Sequence, residues 1–256
     1  MIYPTRKCVV AAFPDQPPSF PQGDLLDQIT NEKLQISPEQ LPPVPLETLS
    51  EQIPQKYLNM EIQDYMVAFS GMTQSYCVGV VDMVDSTKIS ARLSVNQYSK
   101  YYGIFLNTMA RILNRFGGMI IKNAGDSLLF YFPESSKGRR YGFMTCIEGC
   151  LAMVEAHTYV GEMVKKEKLP ALNYRISCDY GPVIIMKQNE SSQIDMLGPP
   201  MNICNKINRM APHNCFIIGA DLYETAKKFP EYCFTSNGTY SSELKSSYPV
   251  YLVSRK

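Results

Sequence analysis

The chain has little histidine, little net charge and no long apolar run, and each shortage closes off a class of function. Only His157 and His213 occur in 256 residues, both in the settings of ordinary surface or helix-end side chains. A net charge of +1 leaves no basic footprint for nucleic acid and no attraction to an anionic membrane surface. No apolar stretch approaches the ~18 residues that a membrane span needs. The start, Met1-Ile2-Tyr3-Pro4-Thr5-Arg6-Lys7, lacks the apolar core of a secretion signal. A cytoplasmic location, with no membrane and no nucleic-acid partner, is therefore expected. Eight cysteines are present without a Cys-x-x-Cys pair, a usage that fits a reducing compartment. Cys146 and Cys150 stand four apart and could mimic a metal pair. With no other ligand near them in sequence, packing as small hydrophobes is the better account.

What is present is globular: 45% hydrophobic and 19% charged residues in a chain long enough for one core plus an extension. Ten of the 18 prolines precede residue 55. Proline at that density fixes φ, removes donors and breaks helices and strands, so residues 1–54 read as a proline-rich N-terminal extension, either a linker or a docking arm. Residues 55–74 read as a lead-in helix, with Tyr57, Leu58, Ile62, Tyr65 and Met66 on one face. The main domain is expected over 75–256.

Within it, Cys77-Val78-Gly79-Val80-Val81 is an uncharged, β-branched run expected as a buried strand. A helix follows over 94–116, apolar at Val95, Tyr98, Tyr102, Phe105, Leu106, Met109, Ile112 and Leu113, and Gly117-Gly118 stops it. Two strands flank Gly125, one long helix is expected over 139–168, and strands over 172–180 and 183–186 are separated by a Gly181-Pro182 break. A helix from Met201, a strand at 215–218, a further helix and two closing strands complete the pattern. The order β-α-β-β-α-β with additions predicts an α+β fold with a ferredoxin-like βαββαβ core.

Two acidic residues stand where strands give out: Asp82 ends the first strand and Asp126 sits in the hairpin turn. Hard divalent cations prefer oxygen ligands and are commonly held by one or two carboxylates together with substrate phosphates. Singly each aspartate is an ordinary turn or cap residue; as a pair they suit a metal-bound nucleoside triphosphate. Ser86 and Thr87 open a helix, where they can cap it or place backbone N–H groups for phosphate.

The pattern Asp82-Met83-Val84-Asp85-Ser86-Thr87, Gly117-Gly118, Lys122-Asn123-Ala124-Gly125-Asp126, then Asp195-Met196-Leu197-Gly198 with Asn202, resembles the catalytic domain of class III nucleotidyl cyclases from about residue 75 onward. The resemblance implies adenylyl cyclase activity, ATP to 3′,5′-cyclic AMP and pyrophosphate. It also implies two Mg²⁺ or Mn²⁺ ions per site, held by Asp82, Asp126 and the carbonyl of Met83. Lys122 and Asp195 match the adenine-selecting pair: lysine donates to N1 and aspartate accepts from the 6-amino group, whereas guanine presents the opposite order. Asn202 matches the asparagine that orients the ribose, and Lys245 loosely matches a triphosphate lysine. Ser86 and Thr87 fall in the phosphate loop. The resemblance further implies a homodimer whose two active sites each draw on both protomers.

Two departures stand out. Asp85 replaces a common glycine, so an extra carboxylate must point away or cap. Lys206 stands where the charge-stabilising arginine is expected, and a flexible point charge is no equal of a bidentate fork; Arg209, seven residues after Asn202, is the other cation within reach. A fold that binds nucleotide with weak or no turnover is the alternative reading. A dinucleotide cyclase is weaker still, because Gly-Gly-Asp-Glu-Phe is absent.

Overall fold

In the computed structural model of the chain, residues 68–187, 194–241 and 247–256 are described, within one compact unit spanning 62–256. The expected extension over 1–54, the lead-in helix as far as residue 67, and Lys245 lie outside these residues. Strand β1, Ala68–Met83, starts earlier than expected, so residues 68–74 are strand and not the end of a lead-in helix. The cause is tertiary. Strand β4, Tyr174–Lys187, is long enough to pair with β1 from Met83↔Tyr174 back to Ala68↔Lys187, with one register shift between Phe69 and Thr73.

That pairing also carries β4 straight through Gly181-Pro182, which pair with Tyr76 and Ser75. Pro182 is tolerated because the neighbour on its other side, β6 (Phe216–Gly219), pairs only with residues 176–178. At Pro182 no donor is needed there. Beyond it, β5 (Ile194–Leu197) takes over as partner from Ile184.

Between β1 and β4 run α1 (Ser86–Ser90), α2 (Val95–Arg115), β2 (Met119–Ala124), β3 (Ser127–Phe132), a 3₁₀ turn (Pro133–Lys137), α3 (Arg140–Glu155) and α4 (His157–Lys166). Helix α2 starts where a capping box forms: the Ser94 hydroxyl accepts from Gln97 N–H and the Gln97 side chain accepts from Ser94 N–H. Tyr101, Phe105, Met109, Ile112 and Leu113 form its buried stripe, while Val95, expected on the apolar face, is 84% exposed. The single helix expected over 139–168 is two helices that share Ala156 as a junction. The break rotates the frame, so Val160 and Val164 are buried while Met163, on the apolar face of one continuous helix, is only half-buried.

After β4 come β5, α5 (Pro199–Asn208), β6, α6 (Ala220–Ala226), β7 (Tyr232–Tyr240) and β8 (Tyr248–Arg255). The sheet order is β2-β3-β1-β4-β6-β8-β7, with β5 added to β4. Its first four strands reproduce the ferredoxin-like βαββαβ arrangement, an α+β fold as the element order predicts. One face packs against α2, α3, α4 and α6 around Phe105, Phe130, Phe132, Ile147 and Tyr174. The other carries α5 over Val78, Val80, Leu129, Met201 and Cys204. Space on the first face is tight at the sheet centre: a Cβ on Gly79 would stand 2.5 Å from both Cys178 Sγ and Phe130.

Candidate active site

Val78 and Val80 point to the α5 face, and strand alternation puts Asp82, the penultimate residue of β1, on that face too. In register, Asp82 lies between Ser127 of β3 and Arg175 of β4. Asp126 immediately precedes Ser127, so the hairpin turn brings the second carboxylate to the end of β1. Two contacts hold it there. Met83 N–H donates to the Asp126 carbonyl at 3.4 Å, and the Ser86 hydroxyl donates to Asp126 Oδ2.

The carboxylates feel each other. Asp82 is pushed up to about 6, first by burial and then by the negative charge of Asp126, while Arg175 and Arg209 pull it the other way. Arg175 was not expected from sequence, because a lone arginine in a strand carries no motif. It faces Asp82 across the ladder, and its Nε is the one buried side-chain nitrogen or oxygen among the described residues that lacks a hydrogen-bond partner.

The loop between β1 and α1 accounts for the departure at Asp85. Asp85 has φ 55°, the left-handed conformation that glycine adopts freely and aspartate tolerates. Its carboxylate turns outward to Lys88 at 2.8 Å, which holds its pKa below the usual range. The extra acid therefore points away from the pair. Ser86 does not cap α1, and Thr87 is exposed, its carbonyl accepting from Ser90 Oγ at 3.1 Å.

Lys122 and Asp195 come from β2 and β5, 73 residues apart in sequence, and meet as an ion pair with Nζ 2.7 and 3.0 Å from the two carboxylate oxygens. A register shift in β2 between Ile120 and Lys122 accompanies the placement. Asp195 Oδ1 also accepts from Met196 N–H at 2.8 Å, which orients the carboxylate. The pair is partly exposed and offers a donor beside an acceptor.

Asn202, Lys206 and Arg209 lie along one exposed stripe of α5 and its C-terminal cap. Of the two cations, it is Arg209 whose field reaches Asp82. What fixes α5 over the site is Asn208, buried, with its amide bonded to the carbonyls of Val80 and Arg175 and to Ser177 Oγ at 3.1–3.3 Å.

The cysteines gather more closely than their spacing suggests. Cys178 Sγ lies 3.4 Å from Cys150 and 3.9 Å from Cys146, all three fully buried. Burial pushes all three thiols well above their ordinary range. The fold brings Cys178 to the pair as a third thiol, which the sequence spacing does not reveal, and protonated thiols in an apolar core pack as small hydrophobes.

Two carboxylates converging at a strand end, one resisting ionisation, beside an arginine with an unspent donor, have the chemistry to take a cation and a phosphate. These features fit a divalent metal: oxygen donors only, and a charge penalty that a cation would relieve. Among known proteins, the chain matches a cytidylate cyclase of Staphylococcus aureus at 24% identity over 165 residues, 61% of this chain. The match spans 39% of that protein's length. Among solved structures, an adenylyl cyclase from P. aeruginosa superposes with a TM-score of 0.65 at 17% identity, covering 72% of this chain and 96% of that one. The guanylyl cyclase Cya2 gives 0.63 at 18%, covering 73% and 94%. No family model matches the chain.

Proposed function

We propose that this chain, whose fold is that of class III nucleotidyl cyclase catalytic domains, is an adenylyl cyclase that converts ATP to 3′,5′-cyclic AMP and pyrophosphate. The observation that carries the reading is the convergence of Asp82 and Asp126 at the end of β1. They would hold one or two Mg²⁺ or Mn²⁺ ions together with the carbonyl of Met83, and such ions polarise phosphoryl oxygens and neutralise charge developing on the attacking and leaving oxygens. The chain's own residues bind and orient the rest. Arg175, with a donor unspent, and the backbone N–H groups around Thr87 receive the triphosphate. Lys122 and Asp195 read the base, Asn202 orients the ribose, and Lys206 or Arg209 balances charge as the 3′-hydroxyl oxygen attacks the α-phosphorus and pyrophosphate departs. Lys122, Asp195, Asn202, Lys206 and Arg209 serve the partner protomer's metal pair, in a homodimer with composite sites.

Base choice rests on Lys122 and Asp195. Adenine places an acceptor, N1, next to a donor, the 6-amino group, and this pair offers the complement. Cytosine has the same edge, N3 beside its 4-amino group, so CTP is the second reading, supported by the relative named a cytidylate cyclase. Guanine and uracil present the reverse order, which leaves a charge unpaired and is penalised heavily.

Purified full-length protein incubated separately with ATP, CTP, GTP and UTP and Mn²⁺, with product analysis, tests both readings. Cyclic AMP from ATP, lost in Asp82→Ala, is the expected result. Cyclic CMP as the main product selects the second reading; tight nucleotide binding with no cyclic product overturns both.

A further inference from the structure

Ser86 was expected to meet phosphate, but its hydroxyl has one proton to give and spends it on Asp126 Oδ2. The side chain is 8% exposed, on the first residue of α1, a helix it does not cap. Tyr102 of α2 stands close by, its ring stacked on Tyr98 at a centroid distance of 4.2 Å. Asp126 is thus gripped twice by the loop that follows β1, through its carbonyl by Met83 N–H and through one carboxylate oxygen by Ser86.

We propose that Ser86 is a positioning residue for Asp126: by engaging Oδ2 it leaves Oδ1 to face the cation shared with Asp82, so that Asp126 binds through one oxygen. The proposal rests on the metal reading above and changes the part Ser86 plays in it, from holding substrate to orienting a ligand. Partners of this kind fix a ligand's rotamer and raise metal affinity without touching the ion.

The test is Mn²⁺ binding to the full chain, read from the electron paramagnetic resonance of free Mn²⁺, in wild type, Ser86→Ala, Ser86→Thr, Asp126→Asn and the Ser86→Ala/Asp126→Asn double variant. Losing the orienting hydroxyl should weaken Mn²⁺ binding about tenfold, the lower end for such partners. Ser86→Thr, which keeps the hydroxyl, should restore it. In the Asp126→Asn background Ser86→Ala should have no further effect, because the group it acts through is gone. Wild-type affinity in Ser86→Ala, which a direct phosphate contact would give, overturns the proposal, and so does an equal further loss in the Asp126→Asn background, which is what a packing defect would give. The metal reading fails separately: there, wild type and Asp126→Asn bind Mn²⁺ equally poorly, and the positioning role falls with it.

Discussion

A carboxylate buried at a strand end and pressed against a second one, as Asp82 is against Asp126, ionises less readily than a free one until a cation arrives. Its folded pKa, about 6, lies above its ordinary 3.8. The folded state therefore binds the proton more tightly, and the group's contribution to stability is present below about pH 4 and lost as pH rises through about 6. Without metal, Asp82→Asn should match wild type near pH 4 and melt higher than wild type at pH 7, which thermal unfolding across pH will check. Added Mn²⁺ should raise the wild-type melting temperature at pH 7 and have little effect at pH 5. A second residue-scale expectation concerns Lys122, ion-paired to Asp195. Lys122→Glu puts two acids side by side, and activity on ATP should fall by about 10²-fold or more, the size of loss seen when a base-reading group is left unmatched.

At the scale of elements, helix α5 brings Asn202, Lys206 and Arg209 to the sheet, and a buried amide holds it there. Asn208→Ala leaves the Val80 and Arg175 carbonyls and the Ser177 hydroxyl short of a donor. That should cost about 1–3 kcal/mol in denaturant unfolding, with cyclase activity falling along with it as α5 loosens. Helix α6 is held differently. Asp179, buried in β4, accepts from Leu222 N–H at 3.1 Å and from the Tyr248 hydroxyl at 2.6 Å, so one carboxylate ties α6 and β8 to the sheet. It sits far along β4 from Asp82's partner Arg175 and serves stability. Tyr248→Phe should destabilise by about 1–2 kcal/mol while leaving Mn²⁺ affinity unchanged, a contrast that separates scaffold from site.

At the scale of the whole molecule, one chain carries both an acidic pair and a base-reading pair, and a composite homodimer predicts complementation. Asp82→Ala and Asn202→Ala, each inactive alone, should regain activity when mixed, because one of the two sites in the mixed dimer is intact. Recovery of up to about a quarter of wild-type activity is expected for random pairing, and none is expected from a site contained within one protomer. Much of this architecture is legible along the chain. The uncharged run of Cys77 to Val81, the stripe from Phe105 to Leu113 and the acids at strand ends follow from period and local chemistry, so the βαββαβ order and the pair Asp82/Asp126 could be named before any coordinates, while the pair Lys122/Asp195 could be named only through the resemblance to class III cyclases. Long-range pairing decided the rest, because a strand's length is set by its neighbour: β4 turned residues 68–74 into strand and ran through Gly181-Pro182. Only the fold could place Arg175 opposite Asp82, turn Asp85 out to Lys88 and direct the Ser86 hydroxyl at Asp126. The first and last of these join residues about 40 to 90 positions apart, a separation over which local pattern carries no signal and only the register of the sheet does.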